Sequence, residues 1–279
     1  TDGTLVDKWE IPTRTENEGE AILPDIAESL EVTLRERGIA RDLVRGIGIG
    51  IPAPVKEDGI VQRTANLGWG YKEVKREAEE LTGFRTVVGN DANVAALGEM
   101  WLGAGKGCKG GGIIVNGHPL IGAHGAAGEI GHICVNYGEI DICGCGKRGC
   151  LEQYASATGI VRLARKRLQK DEEPSVLREK KLSAKLVFDA LKEGDLVAEE
   201  IVEEFGSYLG YALANVAVVT DPEVIVIGGG VSRAGEILLR YIEKYFREKA
   251  FFANQNISFA LAKLGNDAGI CGAAKLILS

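Results

Sequence analysis

The chain has 279 residues, 45% apolar and 26% charged, which are ordinary globular values and enough material for two modest α/β domains. Its net charge of -7 and pI near 5.3 argue against attraction to the phosphates of nucleic acid or anionic lipid. No apolar run approaches the roughly 20 residues that span a bilayer, and no charged, apolar leader precedes Thr1, so a cytoplasmic protein that binds neither nucleic acid nor membrane is expected.

Thr1-Asp-Gly-Thr4 reads as a tight turn into a strand over residues 5–11, a hairpin and not a phosphate loop, because phosphate loops follow a strand and open a helix. Ile22, Ile26, Leu30 and Leu34 recur every four residues and predict a helix over 21–37, with Pro24 tolerated in its first turn. Residues 45–52 and 86–91 have buried-strand patterns, and a helix over 92–102 follows the second. Asn116-Gly117 predicts a hairpin joining 111–115 to 119–121. Helical spacing returns over 156–170, 184–192 and 196–219. A strand and glycine turn over 223–230 then lead to a helix ending near Lys249, and a strand over 257–262 and a helix over 268–278 close the chain. Strands alternating with helices imply an α/β architecture. The basic run from Arg162 to Lys170 alternates with Leu163, Ala164 and Leu168 and reads as a solvated helix face, while the charged stretch 171–181, with Pro174, reads as a flexible insertion.

Cys143, Cys145 and Cys150 fall within eight positions, and His132 lies a short loop upstream. Three thiols and an imidazole are the soft donors of a tetrahedral zinc site, and four protein ligands leave no open position for water, so the ion would be structural. Thiols this close do not form a dispersed disulfide framework, which points to a reducing compartment; Cys108, Cys134 and Cys271 read as small apolar residues. Asp91 lies at a strand-to-helix boundary, where open α/β sheets place reactive groups, although a helix cap explains it as well. Glu129 and His132, three apart, point the same way on a helical turn. Gly228-Gly229-Gly230 suits close backbone approach to a phosphate or a plain strand-to-helix turn.

The run CGCGKRGCLEQYAS from Cys143, preceded by Gly128-Glu129-Ile-Gly-His132, resembles the sugar kinases of the ROK family, and its bacterial glucokinase branch most. The likeness extends over nearly the whole chain. It implies an α/β, two-lobed actin-like (ribonuclease H-like) ATPase fold with a small zinc knuckle. The smaller lobe would be 1–104 and the larger 105–279, with the last helix packing back on the smaller lobe. The activity implied is ATP-dependent phosphorylation of glucose at the 6-hydroxyl, with structural Zn2+, Mg2+ accompanying ATP, and a homodimer or homotetramer as the assembly. By the same resemblance Asp91 is the general base, with Asn90 binding sugar hydroxyls beside it. Glu129 and Glu152 accept from the far hydroxyls, His132 binds both zinc and sugar, Cys143, Cys145 and Cys150 complete the metal site, and Gly228, Gly229 and Gly230 approach the nucleotide. A kinase for another hexose or N-acetylhexosamine, and a sugar-sensing ROK repressor domain, are the alternative readings. The chain departs from the family where its Asp-x-Gly-Gly-Thr strand and loop would precede Thr1, where Lys106-Gly-Cys-Lys109 runs directly into Gly110-Gly-Gly112 without a Gly-Thr-Gly loop, and at Ala53, often glycine. A natural polypeptide longer than 29.8 kDa is therefore expected.

Overall fold

In the computed structural model, which describes residues 2–106 and 113–279, packing divides the chain into two units, Thr1–Gly128 with Lys263–Ser279, and Glu129–Ala262. In chain order the elements are α1 (Glu16–Gly19), α2 (Ile22–Glu36), β1 (Ile47–Ile51), β2 (Ile60–Val61), β3 (Lys72–Glu73), α3 (Val74–Thr82), β4 (Thr86–Asn90) and α4 (Asp91–Leu102). Then come β5 (Ile114–Val115), β6 (His118–Pro119), α5 (Glu152–Ala155), α6 (Ala157–Leu168), α7 (Ala184–Lys192) and α8 (Leu196–Thr220). The chain finishes with β7 (Val224–Ile227), α9 (Glu236–Lys249), β8 (Ser258–Leu261) and α10 (Asp267–Leu278).

In the first unit β1 and β4 run parallel, from Ile47 opposite Thr86 to Ile51 opposite Asn90, so both strands end level. Ile51, Val61, Trp69, Val74 and Val88 form the core beside them. The helix α10 belongs to this unit and lies on α4. A Cβ on Gly272 would sit 1.6 Å from the Val94 carbonyl oxygen, and one on Gly98 would sit 2.1 Å from that of Ala268, so the two helices meet backbone to backbone. Glu99, buried on α4, fixes the returning chain: its carboxylate accepts from Ala104 N at 2.8 Å, Lys263 N at 3.0 Å and Leu264 N at 2.7 Å. The β5–β6 hairpin turns on Asn116 (φ 52) and Gly117 (φ 82), the positive angles for which that pair was read.

In the second unit β7 and β8 are parallel, with α9 as the crossover between them. Ile160, Leu163, Ile201, Phe205, Leu238, Ile242 and Phe246 are almost wholly buried where α6, α8 and α9 converge. At about 1.5–3 kcal/mol for each large apolar side chain, this helical core dominates the unit's stability. No described helix is long and apolar enough to cross a membrane.

Several expectations change. The expected turn includes Thr1, outside the described residues; Asp2 Oδ1 accepts from Thr4 N at 2.9 Å, but residues 5–11 form no strand and hence no hairpin. A ladder needs a neighbour, and among the described residues none pairs with them; Val6 is 89% exposed, and Trp9 Nε1 donates instead to Ser29 Oγ at 2.9 Å. Residues 171–181 are tied down: Arg178 donates to the carbonyls of Leu168 (2.9 Å), Asp171 (2.6 Å) and Glu173 (2.8 Å), and Leu177 is buried. The basic face of α6 is only partly solvated, because Arg162 and Arg167 turn into ion pairs with Glu139 and Asp141 and with Asp171 and Glu200. Cys271 is buried as expected of a small apolar residue, whereas Cys134 is exposed. Cys108, residues 111–112 of the hairpin arm and the junction at Gly110 lie outside the described residues.

Candidate functional site

Asn90 and Asp91 occupy the carboxyl end of β4 and the first turn of α4, the edge at which parallel sheets present ligands. Asn90, not Asp91, is the helix cap: its Oδ1 accepts from Ala92 N at 3.0 Å and Asn93 N at 3.1 Å. Its Nδ2 donates to the Ala53 carbonyl at 3.1 Å, tying the loop after β1 to the start of α4 and leaving one amide hydrogen for a ligand. Asn90 satisfies two of the orphan N–H groups, and among the described residues the hydrogen bond to the exposed Asp91 carboxylate is that of its Oδ1 accepting from Ala92 N at 2.8 Å.

The other expected residues lie in the second unit. Glu129, exposed, precedes the 3-10 turn Ile130–His132, and its carbonyl accepts from His132 N at 3.0 Å. His132 Nδ1 and Glu152 Oε1 are each 4.0 Å from Cys143 Sγ, and Cys145 Sγ is 3.6 Å from Cys150 Sγ. The four donor atoms of His132, Cys143, Cys145 and Cys150 all lie within 4.8 Å of one another. A zinc ion with Zn–S bonds of about 2.3 Å requires sulfurs about 3.8 Å apart, so the donors fit a tetrahedral ion once the widest separations close by up to about 1 Å. Burial, then the neighbouring thiols, pushes Cys150 up to about 12, while the Lys147 backbone N–H lowers Cys145. A cation would relieve the crowding that opposes a second and third thiolate.

The knuckle is braced by residues that the sequence reading did not assign. Glu139, Tyr154 and Arg162 meet behind it: the Tyr154 hydroxyl and Arg162 Nη2 both donate to Glu139 Oε2, and Arg162 Nη2 also donates to Asp141 at 2.8 Å. Burial opposes charge on Glu139, but bonds from Tyr154, the Asp141 backbone and Arg162 outweigh it and hold its carboxyl well below the usual range. Burial, and next the bond to Glu139, pushes Tyr154 up to about 12. Gln153 links the two sides of the loop, accepting from Cys150 N at 3.1 Å and donating to the Asp141 carbonyl at 3.0 Å. Helical spacing cannot distinguish Arg162 from a solvated arginine, because its acidic partners Glu139 and Asp141 lie far upstream in the sequence.

Gly228, Gly229 and Gly230 follow β7, and open space faces the Cα of Gly229 and Gly230. Beside them Lys185, Phe188 and Lys192 of α7, with Val231 and Arg233, line a cavity of about 260 Å³. Asp189 also lines the cavity and pairs with Lys185, so Lys192 and Arg233 beside the apolar wall are the cations that could meet the anionic part of a ligand with a flat apolar part.

The model of the ROK family matches residues 1–279. A glucokinase of Halalkalibacterium halodurans is 42% identical over 294 aligned positions, covering 99% of this chain and 89% of the relative; the alignment is longer than this chain and so opens gaps within it. The crystal structure of a ROK family glucokinase from Streptomyces griseus in complex with glucose and AMPPNP matches with a TM-score of 0.78 at 32% identity, covering 99% of this chain and 92% of that one. A ROK family transcriptional regulator, a homolog of the E. coli MLC protein, matches with a TM-score of 0.81 at 30% identity, covering 92% of this chain and 68% of that one.

Proposed function

The chain belongs to the ROK family and has the actin-like (ribonuclease H-like) ATPase fold, and from that premise we propose that it transfers the terminal phosphoryl group of MgATP to the 6-hydroxyl of glucose. The observation that carries this reading is the Asp91 carboxylate, exposed at the end of β4 and relieved of capping by Asn90. Asp91 takes the proton of the attacking hydroxyl, so that the oxygen gains nucleophilicity as the bond to phosphorus forms. Asn90 donates its remaining amide hydrogen to a neighbouring hydroxyl. Glu129 and Glu152 accept from the other hydroxyls, and His132, with one ring nitrogen on the metal, donates from the other. Both carboxylates are exposed, so it is the bound sugar that would cover them, and a missing or inverted hydroxyl would leave a covered carboxylate without its partner, which is how such a set selects one hexose. When bound by His132, Cys143, Cys145 and Cys150, Zn2+ supplies rigidity to these groups and no reactive water. Gly228, Gly229 and Gly230 hold the nucleotide at the α7 cavity, and Mg2+ arrives with ATP. On the same footing we read a cytoplasmic enzyme of glycolytic carbohydrate metabolism, assembled as a homodimer or homotetramer.

A second reading, a sugar-sensing regulator, draws on the similarity to the MLC homolog. One assay separates the two: ADP release and sugar phosphate formation with glucose, mannose, N-acetylglucosamine and N-acetylgalactosamine. The kinase reading requires glucose to give the highest kcat/KM. Faster transfer to an N-acetylhexosamine would reassign the substrate, and glucose binding without ADP release would favour the regulator.

A further inference from the structure

Cys134 stands directly across from Cys150, the two forming an isolated antiparallel bridge. The flanking bonds run from Val135 N to the Gly149 carbonyl (2.7 Å) and from Leu151 N to the Ile133 carbonyl (2.9 Å), so residues 134 and 150 are themselves the non-hydrogen-bonded pair. In that register opposed Cα atoms lie about 4.5 Å apart with both side chains on one face, inside the span of roughly 4.4–6.8 Å that a disulfide bridges. Gly149 (φ 71) permits the approach, since a Cβ there would sit 1.9 Å from the Asn136 carbonyl oxygen. The two thiols differ in setting. Cys150 is fully buried and belongs to the four-residue donor cluster, whereas Cys134 is exposed, lies outside it, and rests its Sγ 3.7 Å from the Arg148 carbonyl. Rotation about its Cα–Cβ bond turns that sulfur toward Cys150.

We propose that Cys134 is an oxidation site that closes a disulfide with Cys150 and discharges the metal. The discharge rests on the reading of the cluster as a zinc centre. Hydrogen peroxide reaches the outer thiol first: the Cys134 thiolate sulfur bonds to one oxygen, the O–O bond breaks, and the departing hydroxide leaves as water after taking a proton, giving a sulfenic acid. The Cys150 thiolate then attacks that sulfur, the S–O bond breaks, and hydroxide again leaves as water. Two thiols and one peroxide thus become one disulfide and two waters. A disulfide sulfur carries no thiolate charge, so only Cys143, Cys145 and His132 remain to the ion, and it dissociates.

The test begins with the zinc content of the purified protein, followed by hydrogen peroxide in the presence of a chromogenic zinc chelator and peptide mapping under non-reducing conditions. Wild type should release its zinc and yield a Cys134–Cys150 linked peptide, with both changes reversed by dithiothreitol and added zinc. C134S and C134A, with unaltered thermal melting, should keep their zinc through an exposure that empties wild type. Loss of zinc from both variants at the wild-type rate, or links only among Cys143, Cys145 and Cys150, would overturn the proposal. Protein that holds no zinc at the outset removes the metal reading, while the presence or absence of the Cys134–Cys150 link in that protein still decides whether Cys134 is the oxidation site.

Discussion

Asp91 sits where a parallel strand gives way to a helix, whereas Glu152 borders a loop with scarcely any ladder of its own. The first position is fixed mostly by main chain: β4 pairs with β1 and α10 packs backbone to backbone on α4, with the Asn90 side chain adding the cap. The second is fixed by side chains drawn from His132 to Arg162, namely four metal donors and the Glu139–Tyr154–Arg162 brace. Main-chain scaffolds are insensitive to metal, redox state and pH, and side-chain scaffolds are sensitive to all three. If proton transfer falls to the first and hydroxyl recognition to the second, as proposed, substrate affinity can be lost while the base stays in place.

The sharpest way to break this contrast is Cys150→Ser. Structural zinc sites in small domains are worth about 10–16 kcal/mol of apparent binding energy, and part of that is folding energy. The helical core of the second unit is built mainly on α6, α7, α8 and α9 and meets the donor cluster through Ile130, Val135 and Tyr154, so the loss should be greatest around that cluster. Zinc should fall below one equivalent by elemental analysis, amide protection should drop over residues 129–156, and calorimetric glucose affinity should weaken, with residues 86–102 unchanged in exchange. Protection lost equally in both segments would mean that the two scaffolds are not independent.

Glu139→Gln comes next, expected to cost about 3 kcal/mol in urea unfolding at pH 7, because Arg162 loses its most buried ionic partner and is left with the exposed Asp141 and the Gln153 carbonyl. The folded-state pKa of Glu139 is depressed, so its contribution is complete above the unfolded value of about 4.3 and is lost as pH falls toward the folded value. The gap between wild type and variant should therefore be full at pH 7 and shrink steadily below about pH 4; a gap that is constant with pH would remove Glu139 from the brace. The smallest effect is at Asn90→Ala, about 1–2 kcal/mol for a lost cap and a lost bond to Ala53, with Asn90→Asp recovering the cap alone. A melting temperature unaltered in both would show that α4 does not depend on its cap.

How far the sequence disclosed all this depends on the range of the interaction concerned. Helices α7, α8 and α10 and strands β1, β4, β7 and β8 were legible within a residue or two, because a stripe of apolar residues is a local signal. The convergence of His132, Cys143, Cys145 and Cys150 was legible from spacing. Residues 5–11 carry a strand-like pattern but have no neighbour to pair with among the described residues, and pattern alone cannot supply one. The helix α3 and the short β2–β3 pair passed unnoticed, since Val74, Ala78 and Thr82 make a stripe only one residue wide and two-residue strands have no period. Arg162 and Arg167 looked like a wet face because Glu139 and Glu200 are distant in sequence, although Asp171, the second partner of Arg167, is only four positions on. Asp91 was ambiguous between base and cap; the fold resolved the capping half by giving that task to its neighbour.

Asp91→Asn tests the proposed chemistry most directly, through paired measurements of glucose affinity by calorimetry and steady-state turnover with saturating MgATP. If Asp91 is the base, glucose affinity should remain near wild type while kcat falls about 100-fold or more, the usual scale for a lost general base. Near-normal turnover in the variant would contradict the assignment of proton transfer to Asp91 and, with it, the mechanism of phosphoryl transfer proposed for this chain.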